Sequence, residues 1–423
     1  MLLVKGGYYP EMIRVERHYI KGSPEIINLC SVSKELYNRC NFFMRQAWFS
    51  KQRLPDICIL VIKTQDLNCF KNLHNTKTAK QTIRQCLNDW TNFKRALSAY
   101  YKNKTKFIRR PKPPCYKNKL AQVIFYNETM RKKSLKLGML IPTNDCFKIN
   151  STKNFKQVVI TPKTFGFIVE VQYEIDQLKQ KLDKNKVASV DIGLNNLCTI
   201  TSDQQRPILV NGRIAKSFNQ QYNKKPCKKN SRKRYFRIEN YFHHVSKFVV
   251  DFCIKNNIGK LIIGKNDGWK TGINHGKKNN QNFCYIPFYM LFEKIKYKAE
   301  QTGLDVIFTE EAYTSKASFL DHDELYKYEK GVEHTFSGKR KHRGLYVSKE
   351  GYALNADVNG SLNIRRKVIP EFVFTGIGDR SLAARPVTIN PLKAFGCSAK
   401  NGVPKVVNSS NVKTNKIFIN GKA

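Results

Sequence analysis

Acidic residues are scarce in this 423-residue chain: 32 Asp+Glu stand against 76 Lys+Arg, a formal charge of +44 at pH 7. That imbalance excludes a charge-neutral surface and implies a polyanionic partner, because Lys and Arg gain affinity by displacing the counterions condensed on phosphates. Long apolar runs are missing as well. No stretch approaches the ~18 apolar residues that a membrane-spanning helix needs, and neither a signal-peptide pattern nor a lipidation motif is present. No two of the twelve cysteines are separated by only two residues, so no Cys-x-x-Cys metal knuckle exists. Several sit between aliphatic or aromatic neighbours, at 57–59 and 252–254 for example. That is the setting of small buried thiols in a reducing compartment.

Apolar content is ample: 41% of residues are hydrophobic, with 26 Phe and 20 Tyr. The chain therefore folds, with room for two or three domains. Residues 76–102 place Ile83, Leu87, Trp90, Phe93, Leu97 and Tyr100 on one helical stripe. Lys77, Lys80, Gln81, Arg84 and Arg95 lie off that stripe, on a face that is either solvated or turned to nucleic acid. The prolines of "FIRRPKPPCYK" (107–117) end the helix, since proline lacks the N–H donor and clashes with the preceding turn. "FGFIVEVQYEI" (165–175) alternates Phe165, Phe167, Val169, Val171 and Tyr173 as a half-buried strand. The first 180 residues thus read as helices inside or beside a β module, and 173–186 as a linker.

From 187 the order of elements carries information. Strands are expected at 187–191, 197–202 and 206–212, then a helix over about 230–256 and a strand at 260–264. A helix beginning near Pro287 stops at Gly303, a strand follows at 304–309, and a last helix starts at 357. This α/β order is that of an RNase H-like domain, a mixed five-stranded sheet covered by helices.

In such a sheet the first and fourth strands are neighbours and the last helix begins near their ends, so carboxylates at those points converge. Convergent carboxylates hold hard divalent cations that activate water against a phosphodiester. Asp191 closes the first strand and Asp357 opens the last helix. Alone, either acid is as readily a turn or capping residue; together, in a basic chain of this topology, they read as a site. A third acid is due at the end of the fourth strand, but "LIIGKNDGWK" supplies Gly264, Lys265 and Asn266, and Asp267 comes too late. Glu310 and Glu311 stand at the tip of the neighbouring fifth strand. Period-two alternation turns at most one of them inward.

The segments "SVDIGLNNL", "LIIGKNDGWK", "PFYMLFEKIKYKAEQTGLDVIFTEEAYTSKASFLD" and "ALNADVNGSLNIRR" resemble TnpB, the transposon-encoded RNA-guided nuclease, and its Fanzor relatives. More distantly they resemble the compact type V CRISPR effectors. The likeness is strong over 187–367 and weaker over the 76–117 helix and its proline-rich exit. It implies a RuvC (RNase H-like) nuclease domain at 184–370. It also implies an N-terminal β-barrel (wedge-like) module formed by 1–20 and 103–183, a helical recognition insert at 21–102, and a C-terminal tail at 371–423. Asp191 and Asp357 match the first and third catalytic acids. The middle role falls to Glu311 first and Glu310 second, as in the branch that has moved this acid to the segment before "YTSK". Asp191, Glu311 and Asp357 are then the ligands of Mg²⁺ or Mn²⁺.

Many relatives carry a four-cysteine zinc ribbon where this chain has 314–356 without a cysteine; His322, His334 and His342 lack zinc spacing, so a metal-free hairpin remnant and no zinc are expected. The resemblance also implies a guide RNA (omega RNA) and target double-stranded DNA beside a short adjacent motif, where base pairing reads the sequence. An intracellular setting, bacterial cytoplasm or eukaryotic nucleus, follows, with no membrane partner. Eight of the fourteen residues at 224–237 are basic, among them Lys228, Lys229, Arg232, Lys233 and Arg234. That run is a backbone-tracking surface, an import signal or solvated charge. Arg109 and Arg110 join the nucleic-acid candidates Lys77, Lys80, Gln81 and Arg84. Two rival functions stand beside an RNA-guided DNA endonuclease: a nuclease-dead RNA-guided DNA-binding repressor, and a strand-transfer transposase that binds its element ends without RNA.

Overall fold

In the computed structural model the described residues are 12–142, 145–151, 154–175, 180–203, 205–266, 276, 285–329, 331–342, 344–372 and 386–394. The fold is mixed α/β. Contacts divide the chain into one compact unit within Met1–Lys184, Ser217–Ile238 and Lys296–Val306, and a second within Asn185–Lys216, Glu239–Ile295 and Ile307–Ala423. Residues 1–11 of the expected β module, Asp267, and residues 373–385 and 395–423 of the expected tail lie outside the described residues. Among the described residues no helix is long and apolar enough to cross a membrane.

In the first unit, β1 (Met12–Ile20) is followed by the helices α1 (Pro24–Phe49), α2 (Ile57–Thr64), α3 (Asn68–Lys71) and α4 (Thr76–Lys102). Then come β2 (Val123–Tyr126), α5 (Lys132–Lys136), β3 (Met139–Leu140), β4 (Ile149–Asn150), β5 (Phe155–Lys163) and β6 (Gly166–Ile175). The sheet order is β1-β6-β5-β2, so α1 to α4 are inserted between two strands of one sheet. Ser23 caps α1, its side chain accepting from the Ile26 N–H, and Pro24 occupies the first turn, where its missing donor costs nothing. The helix buries Ile26, Leu29, Cys30, Ser33, Leu36, Tyr37, Cys40 and Met44 at three- and four-residue spacing. On α4, Ile83, Cys86, Trp90 and Phe93 are buried, while Leu87, Leu97 and Tyr100 are half-buried. The Trp90 indole N–H donates to Asn41 Oδ1 at 2.8 Å, so the largest core side chain keeps its polar atom satisfied.

From residue 183 the order is β7 (Asp183–Asp191), β8 (Asn196–Ser202), β9 (Gln205–Asn211), α6 (Arg213–Lys224), α7 (Lys228–Lys255), β10 (Ile258–Gly264), α8 (Phe288–Thr302) and β11 (Asp305–Thr309). It continues with β12 (Lys339–His342), β13 (Leu345–Val347), β14 (Ala353–Asn355), α9 (Ala356–Val368), β15 (Val387–Ile389) and α10 (Pro391–Ala394). The main sheet has the order β11-β10-β7-β8-β9-β15. Strands β7 and β10 are therefore neighbours, and β11 lies beside β10. Helix α6, strand β15 and the short α10 exceed the sequence expectation. Helix α6 buries Ala215 and Asn219 on one face and stops before Pro226, which separates it from α7. Strand β15 adds a sixth strand, parallel to β9.

Strands β12, β13 and β14 form a small antiparallel sheet in the cysteine-free segment. Side chains tie it down. Asp323 Oδ2 accepts from the backbone N–H of Ser318 (2.7 Å) and Ser337 (3.1 Å). Asp321 Oδ2 accepts from Ser337 Oγ (2.9 Å) and the Lys349 N–H (2.8 Å). The His334 ring stacks on Tyr326 at 3.8 Å, and the buried Tyr346 donates its hydroxyl to Lys316 O at 2.8 Å.

Candidate metal centre and nucleic-acid interface

Strand β7 buries Val187, Ala188, Ser189 and Val190 in succession and delivers Asp191 at its end. A chain of buried hydroxyls fixes what lies against it: Ser189 Oγ and Thr201 Oγ1 are 2.7 Å apart, and Thr201 Oγ1 and Ser361 Oγ 2.9 Å. Ser361 also donates to Ser189 O at 3.1 Å, so α9 is bonded to β7 and β8 one turn beyond its start. The approach is close enough that a Cβ on Gly360 would stand 2.7 Å from Asp191 Oδ2, nearer than real Cβ atoms come. Glycine is required there by contact.

Asn355, not Asp357, caps α9: its Oδ1 accepts from the backbone N–H of Asp357 (3.0 Å) and Val358 (3.2 Å). Asp357 is left in the first turn, where the helix dipole favours a carboxylate. Asn359 and Asn363, buried one turn apart, bind the stretch that leads away from β11. Asn359 Nδ2 donates to Ala317 O (2.8 Å), and Asn363 Nδ2 to Thr314 O (2.9 Å) and Ala317 O (2.8 Å).

The two glutamates part company at the tip of β11. Glu310 is exposed; it lies 3.6 Å from Lys367 Nζ and accepts from the Tyr328 N–H at 3.4 Å. Glu311 turns the other way. A Cβ on Gly264, the last residue of β10, would stand 2.8 Å from Glu311 Oε2, so this carboxylate fills the space a side chain at the β10 end would take. The Lys265 N–H donates to Thr309 O at 2.8 Å and holds the two strand ends together.

Electrostatics place the three acids in one neighbourhood. Burial, the Glu311 charge and the Asp357 charge, in that order, push the Asp191 carboxyl well above the ordinary carboxylate range, with Arg340 pulling it back. Burial pushes Glu311 up to about 7 against the opposing pull of Lys367. Glu310, expected as an alternative to Glu311, is thus corrected to a surface acid by the alternation of successive side chains. Two further groups touch Asp357: Asn196 Nδ2 donates to Oδ2 at 2.8 Å, and Arg340 Nη2 to Oδ1 at 3.1 Å. Sequence reasoning missed both. Asn196 sits in "IGLNN" beside the recognised Asp191, whereas Arg340 belongs to an exposed strand with no periodic signal.

The donor set suits a hard divalent cation, being all carboxylate oxygen. Among the described residues no three His, Cys, Asp or Glu side chains stand close enough to cage an ion by themselves. Mg²⁺ seldom uses such a cage; it is held by one or two carboxylates with water and phosphate oxygens. Glycine at 264 and 360 keeps a Cβ off one oxygen each of Glu311 and Asp191. On both grounds the residues fit the ion.

The basic candidates lie in the first unit. Lys77, Lys80 and Arg84 line a cleft of about 440 Å³ with Tyr126, Asn127, Glu128 and Lys156, and Lys77 is ion-paired to Glu128. Gln81 is corrected: it is 7% exposed and donates to the Tyr126 hydroxyl, so it packs inside the unit and is not part of the solvent face. Arg109 and Arg110 are exposed, with the Arg110 guanidinium 5.7 Å from the Tyr101 ring centre. Arg232 lies 4.7 Å from the Tyr19 ring centre, and Arg234 donates to Asn219. Lys228, Lys229 and Lys233 are exposed.

Residues 288–364, from α8 to most of α9, match the family model described as "Cas12f1-like, TNB domain". No curated protein matches the sequence. Among solved structures the chain is similar to a Cas12f1–sgRNA–target DNA complex, with 12% identity over 80% of this chain and 82% of that one and a TM-score of 0.44. It is also similar to a CRISPR-Cas12f ternary complex, with 13% identity over 83% and 82% and a TM-score of 0.32. The mini-RNA-guided endonuclease CRISPR-Cas phi3 shares 10% identity over 86% and 93%, with a TM-score of 0.41.

Proposed function

We propose that this chain is an RNA-guided, divalent-metal-dependent DNA endonuclease of the TnpB and Fanzor kind, which cleaves double-stranded DNA next to a short adjacent motif. The observation that supports the reading is that Asp191, buried at a strand end, feels the charges of Glu311 on a neighbouring strand tip and Asp357 at a helix start, which add to burial in raising its carboxyl. The Cas12f1-like match over 288–364 supports it, because that segment contains Glu311, Asp357 and Arg340.

In this reading residues 184–370 are the RuvC-type nuclease domain, 1–20 and 103–183 the wedge-like β-barrel module, and 21–102 the recognition insert. Asp191, Glu311 and Asp357 would hold Mg²⁺ or Mn²⁺, which supplies Lewis acidity toward a phosphate oxygen and a more acidic bound water. The protein's own groups do the rest. Asn196 on one oxygen of Asp357 and Arg340 on the other fix the orientation of that carboxylate. Arg340 brings a guanidinium to the same carboxylate, where it meets an incoming phosphate with a charge-assisted hydrogen bond. Lys77, Lys80, Arg84, Arg109, Arg110 and the 224–237 run follow the backbones of a guide RNA and its heteroduplex with DNA.

The test is to purify the protein with the RNA it carries, sequence that RNA, and offer duplex DNA matched to it in Mg²⁺. Cutting of the matched duplex alone is expected. Asp191→Ala or Asp357→Ala should lower the rate by at least roughly 10²–10³-fold, the scale of losing a preorganised transition-state contact, while guide-dependent DNA binding persists. Matched DNA left whole by the wild-type complex in Mg²⁺ would overturn the reading.

A further inference from the structure

The end of β10 holds no acid, yet it is not idle. Asn266, two residues beyond Gly264, makes a reciprocal pair of hydrogen bonds with Glu311 across 45 positions of sequence: Oδ1 accepts from the Glu311 backbone N–H at 3.1 Å, and Nδ2 donates to Glu311 Oε1 at 3.1 Å. The chemistry fixes the amide's orientation. A backbone N–H only donates, so the Asn266 oxygen must face it, and the NH₂ is thereby aimed at the carboxylate. One amide therefore grips the main chain and the side chain of the same residue, which sets both the position of Glu311 and its rotamer. Gly264 supplies the room, since a Cβ there would meet Glu311 Oε2 at 2.8 Å and Ile364 Cδ1 at 2.5 Å.

We infer that Asn266 is a positioning residue for Glu311, and that the β10 end is a receiver that turns a glutamate from the neighbouring strand into the metal-binding cluster. The inference rests on the proposed nuclease centre. It assigns a purpose to the residues standing where an acid was expected. The bond from Asn266 to one Glu311 oxygen opposes the pull of Lys367, the cation that holds its neighbour Glu310. Hydrogen-bond partners of metal ligands are typically worth about 10–100-fold in metal affinity, and that is the scale expected here.

The experiment reads metal occupancy apart from catalysis. The purified protein–RNA complex is loaded with Fe²⁺ in place of Mg²⁺; ascorbate and peroxide then generate radicals that cut the polypeptide beside the ion, and the fragments are mapped by mass spectrometry. Wild type should give cuts near 191, 311 and 357. Asn266→Ala should reduce the cut near 311 about tenfold or more, with the protein still folded and guide-dependent DNA binding unchanged. Asn266→Asp keeps the shape and the acceptor for the backbone N–H but sets a carboxylate against Glu311. It should reduce the same cut by as much. In a Glu311→Ala background, Asn266→Ala should change nothing further. Undiminished cutting near 311 in both variants, or an equal further loss in the Glu311→Ala background, overturns the inference. Asp191→Ala separates the two levels. If the wild-type fragments persist in that variant, the nuclease centre itself is wrong; if they vanish there but survive both Asn266 changes, only the positioning role falls.

Discussion

Helices α1 and α4 bury Trp90, Tyr37, Leu36 and Met44, whereas α9 buries Asn359, Ser361, Asn363 and Arg365. The first unit holds its helices mainly by apolar area, with paired polar groups such as Trp90 and Asn41 set into it. The second unit has apolar residues too, but around the acids it spends its interior on hydrogen bonds: Ser189, Thr201 and Ser361 in a chain, and Arg365 in a two-pronged contact with Asp203 at 2.5 and 2.9 Å. Apolar packing tolerates rotation and slippage; hydrogen bonds set direction. A surface that follows phosphate backbones tolerates the first kind of support. A cluster of carboxylates, which repel one another and must still converge, needs the second.

Substitutions in each region should therefore fail differently. Trp90→Ala opens a cavity in the first unit and should lower stability by about 3–5 kcal/mol, seen as a fall in the denaturation midpoint. Once the remaining folded fraction is counted, the chemistry at Asp191 should be unchanged. Ser361→Ala removes the hub of the hydroxyl chain and should cost about 1–3 kcal/mol. Unlike Trp90→Ala, it should also slow cleavage, because it loosens the anchor between β7 and α9. A slowing by Trp90→Ala at full folding, or none by Ser361→Ala, would erase the contrast between the units.

A smaller effect tests the burial of Glu311. Glu311 has its folded carboxyl raised to about 7 from an ordinary 4.5. For an acid raised in this way the folded state holds more protons than the unfolded one between those values, so its contribution falls as pH rises through that window. In EDTA, Glu311→Gln should gain on wild type in melting temperature from pH 5 to pH 8. A constant difference across that range would mean the carboxylate is not held in a penalising environment.

The succession of strands and helices between 187 and 368 is legible because apolar spacing changes cleanly from two to three or four residues, as between "KLIIG" and the Phe288, Leu291, Ile295, Ala299 stripe. The neighbouring positions of β7, β10 and β11 follow from that succession and bring Asp191 and the β11 tip near each other. Other features depend on what spacing does not encode. Gln81 looks like a surface amide until Tyr126, far along the chain, is seen to receive it. Helix α6 hid behind the basic run, where charge masks a short amphipathic face. Asn266 read only as a missing acid, because its partner lies across the sheet. Alternation allowed just one of Glu310 and Glu311 to face inward but left the choice open; Lys367 on one side and Asn266 on the other make it.

That choice is the most direct test of the account. Glu310→Ala and Glu311→Ala should be assayed side by side as RNA-loaded complexes on matched duplex DNA in Mg²⁺, with DNA binding measured in parallel. Glu310→Ala loses a partly exposed ion pair, worth about 0.2–1 kcal/mol, and a long hydrogen bond from the Tyr328 N–H, and should cut at close to the wild-type rate. Glu311→Ala should bind DNA as tightly as wild type and cut at least roughly 10²-fold more slowly. Normal cutting by Glu311→Ala, or the larger loss in Glu310→Ala, would contradict the account.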